Sequence, residues 1–519
     1  MSSVDYWHFI QKLLLIAVGA FIIRDIAYRI HYARMKKKLN ATDPPKYRSE
    51  YLGIKLMTDA MSIRKKGWVM EFLVDLCKPY FDVKTFQINV LTYQAYLTID
   101  PENIKAVLAT QFNDFALGSR YAVFSPLLGN GIFTLDGEGW KHSRAMLRPQ
   151  FAREQVAHVR SLEAHIQRLA QHIRLHSNGE TFDLQELFFK FTIDTATEFL
   201  FGESCNSLWD ESISNGTPVD DTEKKEFAID FNKAQNYLAD RTLLQSLYWI
   251  LDGMDFRNTN KRVQKFVRKY VDKALSTSDE KLEEMSKNGY IFLYELVKKT
   301  RDPIALQDQL LNILVAGRDT TAGLLAFTFF ELARNPDVWE KLKAEIEENF
   351  GLGEDAQIEE ITFESLKRCE YLKFVINEAL RLYPSVPFNF RTCTKDTTLP
   401  RGGGSDGQLP IFIPKGVSLF YSVYVTHRME EYYGKDANEF RPERWADLKN
   451  LGWAYLPFNG GPRICLGQQF ALTEASYVIT RLAQLFPNLT SRDEGPYPCL
   501  KQNHLTMSAF EDVKVSMTE

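Results

Sequence analysis

FNGGPRICLGQQFA, running from Phe458 to Ala471, places one cysteine after a glycine- and proline-rich loop and before what has the composition of a first helical turn. The six cysteines, Cys77, Cys205, Cys369, Cys393, Cys465 and Cys499, are widely scattered. That scatter is no disulfide framework and suits a reducing compartment, so Cys465 must be explained alone. An inert buried thiol is the commonest fate of a free cysteine. A nucleophile needs a histidine, and His427 and His504, the nearest in sequence, would have to arrive by folding. A zinc site needs further Cys or His at ligand spacing, and the chain has no such cluster.

A fourth reading, an axial thiolate on haem iron, gives every flanking residue something to do. Gly460, Gly461 and Gly467 let backbone approach a flat macrocycle and tolerate the turn. A helix beginning after Cys465 aims its N–H groups and positive dipole end at the sulfur and lowers its pKa. Arg463 can pair with a propionate and Phe458 can pack on the ring.

The 519 residues suggest roughly three average domains by length alone, or one large α-rich unit. With 63 basic against 67 acidic residues and a net charge of -4, there is no global field to recruit nucleic acid. The body reads as long amphipathic helices with a few short strands, an α-rich, α+β class without internal repeats. Residues 207–226 and 275–289 are expected to be polar surface loops, Arg401–Gln408 a hairpin or excursion, and Pro410–Thr426 the main strand region. Pro303–Pro336 fits one helix of about 45 Å. It is apolar nearly all round, hence buried, yet its middle reads AGRDTTAG (Ala316–Gly323). Glycine costs about 1 kcal/mol inside a helix and a buried carboxylate costs more unless partnered. Two readings stand: a local kink with a satisfied Asp319, or a helix opened at its centre to seat a ligand and a proton relay. His158, His165 and His172 recur every seven residues, but that spacing spans about 10 Å, too far for one metal ion.

At the N-terminus, Trp7–Ile23 is apolar apart from Gln11 and Lys12 and precedes a basic stretch. Its uncharged part, Leu13–Ile23, is shorter than the ~20 residues a spanning helix wants, which leaves a secretory segment or an interfacial helix as alternatives. Arg24-Asp25-Ile26 follows where a signal peptidase needs small residues, and snorkelling of Lys12 extends the apolar stretch back to Val4. An anchor over residues 1–34, a basic and proline-bearing linker over 35–48 and a catalytic domain over 49–519 are expected. Arg29, Arg34, Lys36, Lys37, Lys38 and Lys46 put that domain in the cytosol.

The stretch around Cys465 closely resembles the cytochrome P450 signature F-x-x-G-x-R-x-C-x-G, matched by Phe458, Gly460 plus Gly461, Arg463, Cys465 and Gly467. Further motifs of that family follow its order: Trp140 and Arg144 as W-x-x-x-R, Ala316–Thr321 as A/G-G-x-D/E-T-T, Glu378 and Arg381 as E-x-x-R, and Pro442-Glu443-Arg444-Trp445. A lone E-x-x-R is weak, being an ordinary helical pair; the five in order are strong. The resemblance covers about residue 45 to the end and implies a single large, mainly α, P450-type fold with a long central helix and small β-sheets. It implies haem b with Cys465 as thiolate ligand, Asp319 and Thr320 as the acid–alcohol pair that delivers protons, and Trp140, Arg144, Arg391 and Arg463 as propionate partners. Glu378, Arg381 and Arg444 would interlock as a structural network. Partners implied are O2, an NADPH-dependent flavoprotein reductase meeting Lys141 and Arg148, a lipophilic substrate and membrane lipid, at the endoplasmic reticulum membrane with one N-terminal anchor. RLYPSVPFNFR (381–391), Leu399–Gly416 and Leu456–Leu482 look like the fungal membrane-bound alkane and fatty-acid ω-hydroxylases, with Phe388 standing where several relatives carry a polar or basic residue. Substrate contacts are expected from Ser119–Phe133, Asn236–Leu247, Val386–Asn389 and Leu505–Met507. Alkylphenols, sterols or xenobiotics are the alternative substrates. A haem-thiolate isomerase or dehydratase would typically lack the acid–alcohol pair, which is intact here, and a haem carrier or gas sensor would need no Thr320.

Overall fold

The computed structural model describes residues 3–48, 50–90, 93–152, 159–176, 178–214, 222–287 and 290–519, in two compact units. The first unit comprises Met1–Lys55, Cys77–Ala116 and Phe390–Tyr421. Its long helix α1 (Ser3–Lys38) keeps Trp7, Phe9, Leu13 to Ile16, Val18, Phe21 to Ile23 and Ile26 exposed. The C-terminal half of α1 is tied down at helical spacing. Tyr28 donates to Gln94 (3.2 Å), His31 lies 2.6 Å from Asp396, the Tyr32 ring meets Phe412 edge-on, and Lys36 donates to Asp43 (2.7 Å). The stretch expected to be a linker is bonded as well: Thr42 N donates to Pro410 O and Tyr47 N to Gln87 O, both at 2.8 Å.

Five strands form the sheet of this unit, β1 (Thr85–Val90), β2 (Tyr93–Thr98), β3 (Phe115–Ala116), β4 (Phe388–Cys393) and β7 (Ser418–Ser422), in the order β1-β2-β7-β4-β3. β5 (Thr397–Gly403) and β6 (Leu409–Ile413) pair as the hairpin expected around Arg401–Gln408. The strand region predicted to reach Thr426 ends at Ser422. Val423–Thr426 is a helical turn, because the Ser422 hydroxyl accepts from Val425 N and caps it.

The second unit comprises Leu56–Leu76, Leu117–Asn389 and Ser422–Glu519. Its site-bearing helices are α2 (Gly137–Leu147), α3 (Leu184–Phe201), α4 (Thr222–Leu244), α5 (Met254–Leu275), α6 (Pro303–Arg334), α7 (Glu370–Leu382) and α8 (Gln468–Leu485). Thr222–Glu226 therefore opens a helix rather than a loop, Leu208 and Ile213 are buried, and Asp279–Lys287 is helical, so the two polar interruptions are more ordered than their composition suggests. Residues 215–221 and 288–289 of those interruptions lie outside the described residues.

Pro303 at the first position and the Asp302 carboxylate accepting from Ile304 N (2.8 Å) start α6 where its sequence predicts. By length and composition α6 could cross a membrane, but 72% of its apolar window is buried in protein. Two hydrophobic cores share it. Leu306–Val315 packs with α4 and α5, and Ala322–Leu332 packs with α7 and α8. Between the cores the helix is unbroken: Ala316–Gly323 is continuous α-helix. The two-core division leaves Ala316, Gly317, Asp319 and Thr320 partly exposed in the middle of an otherwise buried element.

Candidate active site

The cysteine loop is shaped by its glycines. Gly461 has φ +68°, the left-handed region. At Gly460 a Cβ would lie 2.6 Å from the Trp453 ring, so this glycine accommodates protein rather than a macrocycle. Cys465 N donates to Phe458 O at 3.0 Å, closing the loop, and α8 begins three residues beyond the sulfur. Burial pushes the Cys465 thiol up, while the Gly467 N–H and the Arg144 charge pull it back toward thiolate. The side chain is deep in the unit yet not covered by protein: Cys465 alone of the six cysteines is exposed. On α6 a Cβ at Gly317 would meet nothing within 4 Å. A deep uncovered thiol at a helix start and a bare patch on a buried helix are what residues fronting a bound group show, so the donor set fits a haem held by Cys465.

The competing readings of the cysteine lose their partners. His427 has both ring nitrogens bonded to backbone, Nε2 accepting from Leu456 N (2.9 Å) and Nδ1 facing Arg381 O (3.1 Å). His504 Nε2 lies 3.0 Å from Gln502 Oε1. Among the described residues there is no group of three or more His, Cys, Asp or Glu able to hold a metal ion. His165 pairs with Glu198 and His172 with Leu208 O as ordinary structural histidines, and His158 lies outside the described residues.

Three cationic and aromatic side chains predicted from far-apart motifs meet. The Trp140 indole lies 4.5 Å from the Arg463 guanidinium and 5.8 Å from that of Arg144. Arg463 donates to Asp136 (2.8 Å) and to Leu135 O (2.9 Å), and Arg144 to Ile464 O (3.1 Å), directly before the cysteine. The Asp136 pairing had no signal in the sequence. Arg391 belongs to the first unit, where it is buried with Nη1 on Phe390 O (2.7 Å).

Glu378, Arg381 and Arg444 do interlock, each at most 2% exposed. Glu378 accepts from Arg381 Nε and Nη2 (2.9 and 2.8 Å), Arg444 Nε (2.8 Å), Trp445 Nε1 (3.0 Å) and Arg441 N (3.0 Å). Arg381 also donates to His427 O and Ala437 O, and Arg444 to Tyr433 O and Asp436. His427 joins this network to Leu456, where the cysteine loop begins, a link that sequence reasoning missed.

Asp319 and Thr320, expected as the acid–alcohol pair, are both partly exposed on α6. The Thr320 hydroxyl donates to Ala316 O (2.7 Å), and Asp319 Oδ1 is buried without a hydrogen-bond partner. Hydrogen bonds join three of the four segments expected to contact substrate, and the fourth reaches Ser385, the residue before Val386. Arg241 donates to Ala122 O and Val123 O, Arg120 to Asn389 (2.6 Å), Met507 N to Ser385 O (2.9 Å), and the Ser385 hydroxyl to Thr320 O (3.2 Å).

An uncovered thiol at a helix start, and an acid and an alcohol side by side on a buried central helix, are what a haem-thiolate oxygenase is expected to present. The family model for cytochrome P450 matches residues 52–514, and the chain belongs to that family. It is 59% identical over 515 residues to cytochrome P450 52A13 of Debaryomyces hansenii, covering 99% of this chain and 97% of the relative. Cytochrome P450 52A3-B of Candida maltosa is 58% identical over 511 residues (98% and 97% covered), and cytochrome P450 52A1 of Candida tropicalis is 54% identical over 521 residues (98% and 94%). The protein is therefore a P450 monooxygenase with a haem-thiolate cofactor, using O2, a hydrophobic substrate and a redox reductase partner.

Proposed function

We propose that the enzyme hydroxylates long-chain n-alkanes or fatty acids at the terminal carbon, with Cys465 as the thiolate that would hold the haem and Asp319 and Thr320 as the proton relay. The observation that carries the relay assignment is the gap between the two cores of α6: it exposes Gly317 and Thr320 on a helix whose flanks are sealed, and Thr320 O is bonded to Ser385 beside Met507. Support for the substrate comes from the resemblance of residues 381–391, 399–416 and 456–482 to fungal alkane and fatty-acid hydroxylases, together with the P450 52A relatives.

Haem, when bound, supplies oxygen activation; the chain's residues do the rest. Trp140, Arg144 and Arg463 present two guanidiniums around one indole, a cationic cradle for propionates. Phe458 would pack on the bound haem and Gly467 would keep the approach to the sulfur clear, while Glu378, Arg381 and Arg444 support the loop through His427. To pass a proton, the Thr320 hydroxyl must turn from Ala316 O, at a cost of about 1 kcal/mol for one hydrogen bond. Asp319 Oδ1, lacking a donor in place, can take the proton up. The apolar cores on either side of the gap exclude water from an alkyl chain. Residues 1–34 are assigned as the anchor, 35–48 as the linker and 49–519 as the catalytic domain, which faces the cytosol at the endoplasmic reticulum membrane.

The test is product analysis with reductase and NADPH on alkanes, fatty acids, alkylphenols and sterols. Terminal alcohols from the linear substrates are expected. Oxidation confined to aromatic or sterol substrates overturns the substrate class while leaving the monooxygenase intact.

A further inference from the structure

Arg318 stands between the two glycines of the α6 gap and next to the relay acid, and its surroundings are unusual for a buried cation. It is 5% exposed, with its guanidinium against the rings of Phe189 on α3 (5.5 Å) and Phe231 on α4 (6.0 Å). One Nη1 hydrogen bond goes to Asn232 of α4, at a short separation. The same Nη1 lies 3.1 Å from Asp319 Oδ1, yet the geometry makes no hydrogen bond: Asp319 Oδ1 and Arg318 Nε are both buried atoms without a partner. Buried polar atoms are almost always satisfied, and leaving one unpaired costs energy. Arg318 is thus ion-paired with Asp319 but held turned so that no hydrogen bond joins the two. The holder is Asn232, on the helix whose C-terminal half runs through the segment expected to meet substrate.

We propose that Asn232 is a positioning residue that turns the Arg318 Nη1–H away from Asp319, so that the paired carboxylate has no hydrogen-bond donor on it and stays available to the proton relay. Released from Asn232, the guanidinium would turn its Nε–Nη2 edge onto the Asp319 carboxylate, satisfying both orphaned atoms. The carboxylate would then be held as an anion by charge-assisted bonds and become a poor proton carrier. Movement of α4 on substrate entry would change this grip, coupling occupancy of the substrate region to proton delivery. The inference rests on the reading of Asp319 as the relay acid.

The experiment uses the full-length, haem-loaded enzyme with its reductase and measures product formed per NADPH, peroxide released, the solvent isotope effect and the substrate KM. Infrared difference spectra against Asp319→Asn report the hydrogen-bonded state of the Asp319 carboxylate without turnover. Asn232→Leu is expected to lower product per NADPH on the order of tenfold, raise the solvent isotope effect, shift the Asp319 carboxylate band and leave KM unchanged. Asn232→Asp keeps the grip and should stay near wild type. In Asn232→Leu/Arg318→Met the guanidinium is gone, so coupling should recover and the band should return. A purely structural role predicts the opposite, a double variant worse than the single. Unchanged coupling in Asn232→Leu, or no recovery in the double variant, overturns the proposal. If Asn232→Leu does not load haem, Arg318→Met alone decides: retained coupling supports the proposal and lost coupling refutes it. Should Asp319→Asn itself leave coupling intact, the relay reading fails first; should it uncouple while Asn232→Leu does not, only the positioning role falls.

Discussion

Glu378→Gln keeps the shape of the side chain at the centre of the arginine network and removes its charge. The two guanidiniums, Arg381 at 0% and Arg444 at 2% exposure, would keep backbone carbonyls and Asp436 but lose their shared anion. Breaking a buried pair by removing one partner costs about 3–5 kcal/mol, because the remaining charge is left in low dielectric. With an unfolding entropy of roughly 2 cal/mol/K per residue over the 519-residue chain, this corresponds to a Tm lowered by about 3–5 °C. Scanning calorimetry at one fixed scan rate, needed because large chains often unfold irreversibly, measures it. The internal control is Lys269→Gln, which breaks a pair with Glu223 in which both side chains are 60% exposed. Exposed pairs contribute at most about 1 kcal/mol, so that variant should melt within about 1 °C of wild type. The buried variant should also load less haem, because Arg381 and His427 hold the backbone that leads into Leu456. A Glu378→Gln protein melting with the control and showing a full reduced-CO thiolate band would refute the reasoning.

Three further outcomes follow from named groups. Cys465→Ser should keep the helical content of the fold while losing the red-shifted reduced-CO Soret band of thiolate ligation; persistence of that band would remove Cys465 as the ligand. Burial pushes Glu331, bonded by Tyr383 and Tyr497, up to about 7, and likewise Glu474, bonded by Thr195. Since the folded value lies above the unfolded one, the stability is complete below about pH 4.5 and is lost as pH rises through about 7, on the order of 3 kcal/mol per group. Glu331→Gln should therefore show a shallower fall in Tm from pH 5 to pH 8, and a slope equal to wild type would contradict the assignment. Deleting residues 1–27, which spares the Tyr28, His31, Tyr32 and Lys36 contacts, should move the enzyme from the floating vesicle fraction to the soluble bottom fraction, and continued flotation would refute the anchor.

Long, strongly patterned elements were legible without any structure. Pro303–Arg334 announces itself because it is apolar all round and carries an Asp–Pro start, both local properties. Val423–Thr426 was not legible: its β-branched and aromatic composition says strand, but Ser422 caps a helical turn and Tyr424 N is bonded to Pro387 O, so tertiary bonding overrides a weak local preference. The polar stretch at 222–226 misled for the related reason that charged residues on one face of α4 resemble a loop until its buried face, Phe227 and Phe231, is seen packed.

The chemistry at the site divides the same way. A cysteine between glycines before a helix, and an acid–alcohol pair amid helix-breaking glycines, are short-range patterns whose residue types have few other uses together; the sequence by itself determined the class of reaction. Only the tertiary structure decided which charge meets which. Asp136 takes Arg463, His427 ties the arginine network to the cysteine loop, and Asn232 rather than Asp319 receives the hydrogen bond of Arg318. Each of these contacts joins segments 29 to 327 residues apart. Local periodicity carries no information about such pairings, because they are chosen by the packing of whole helices.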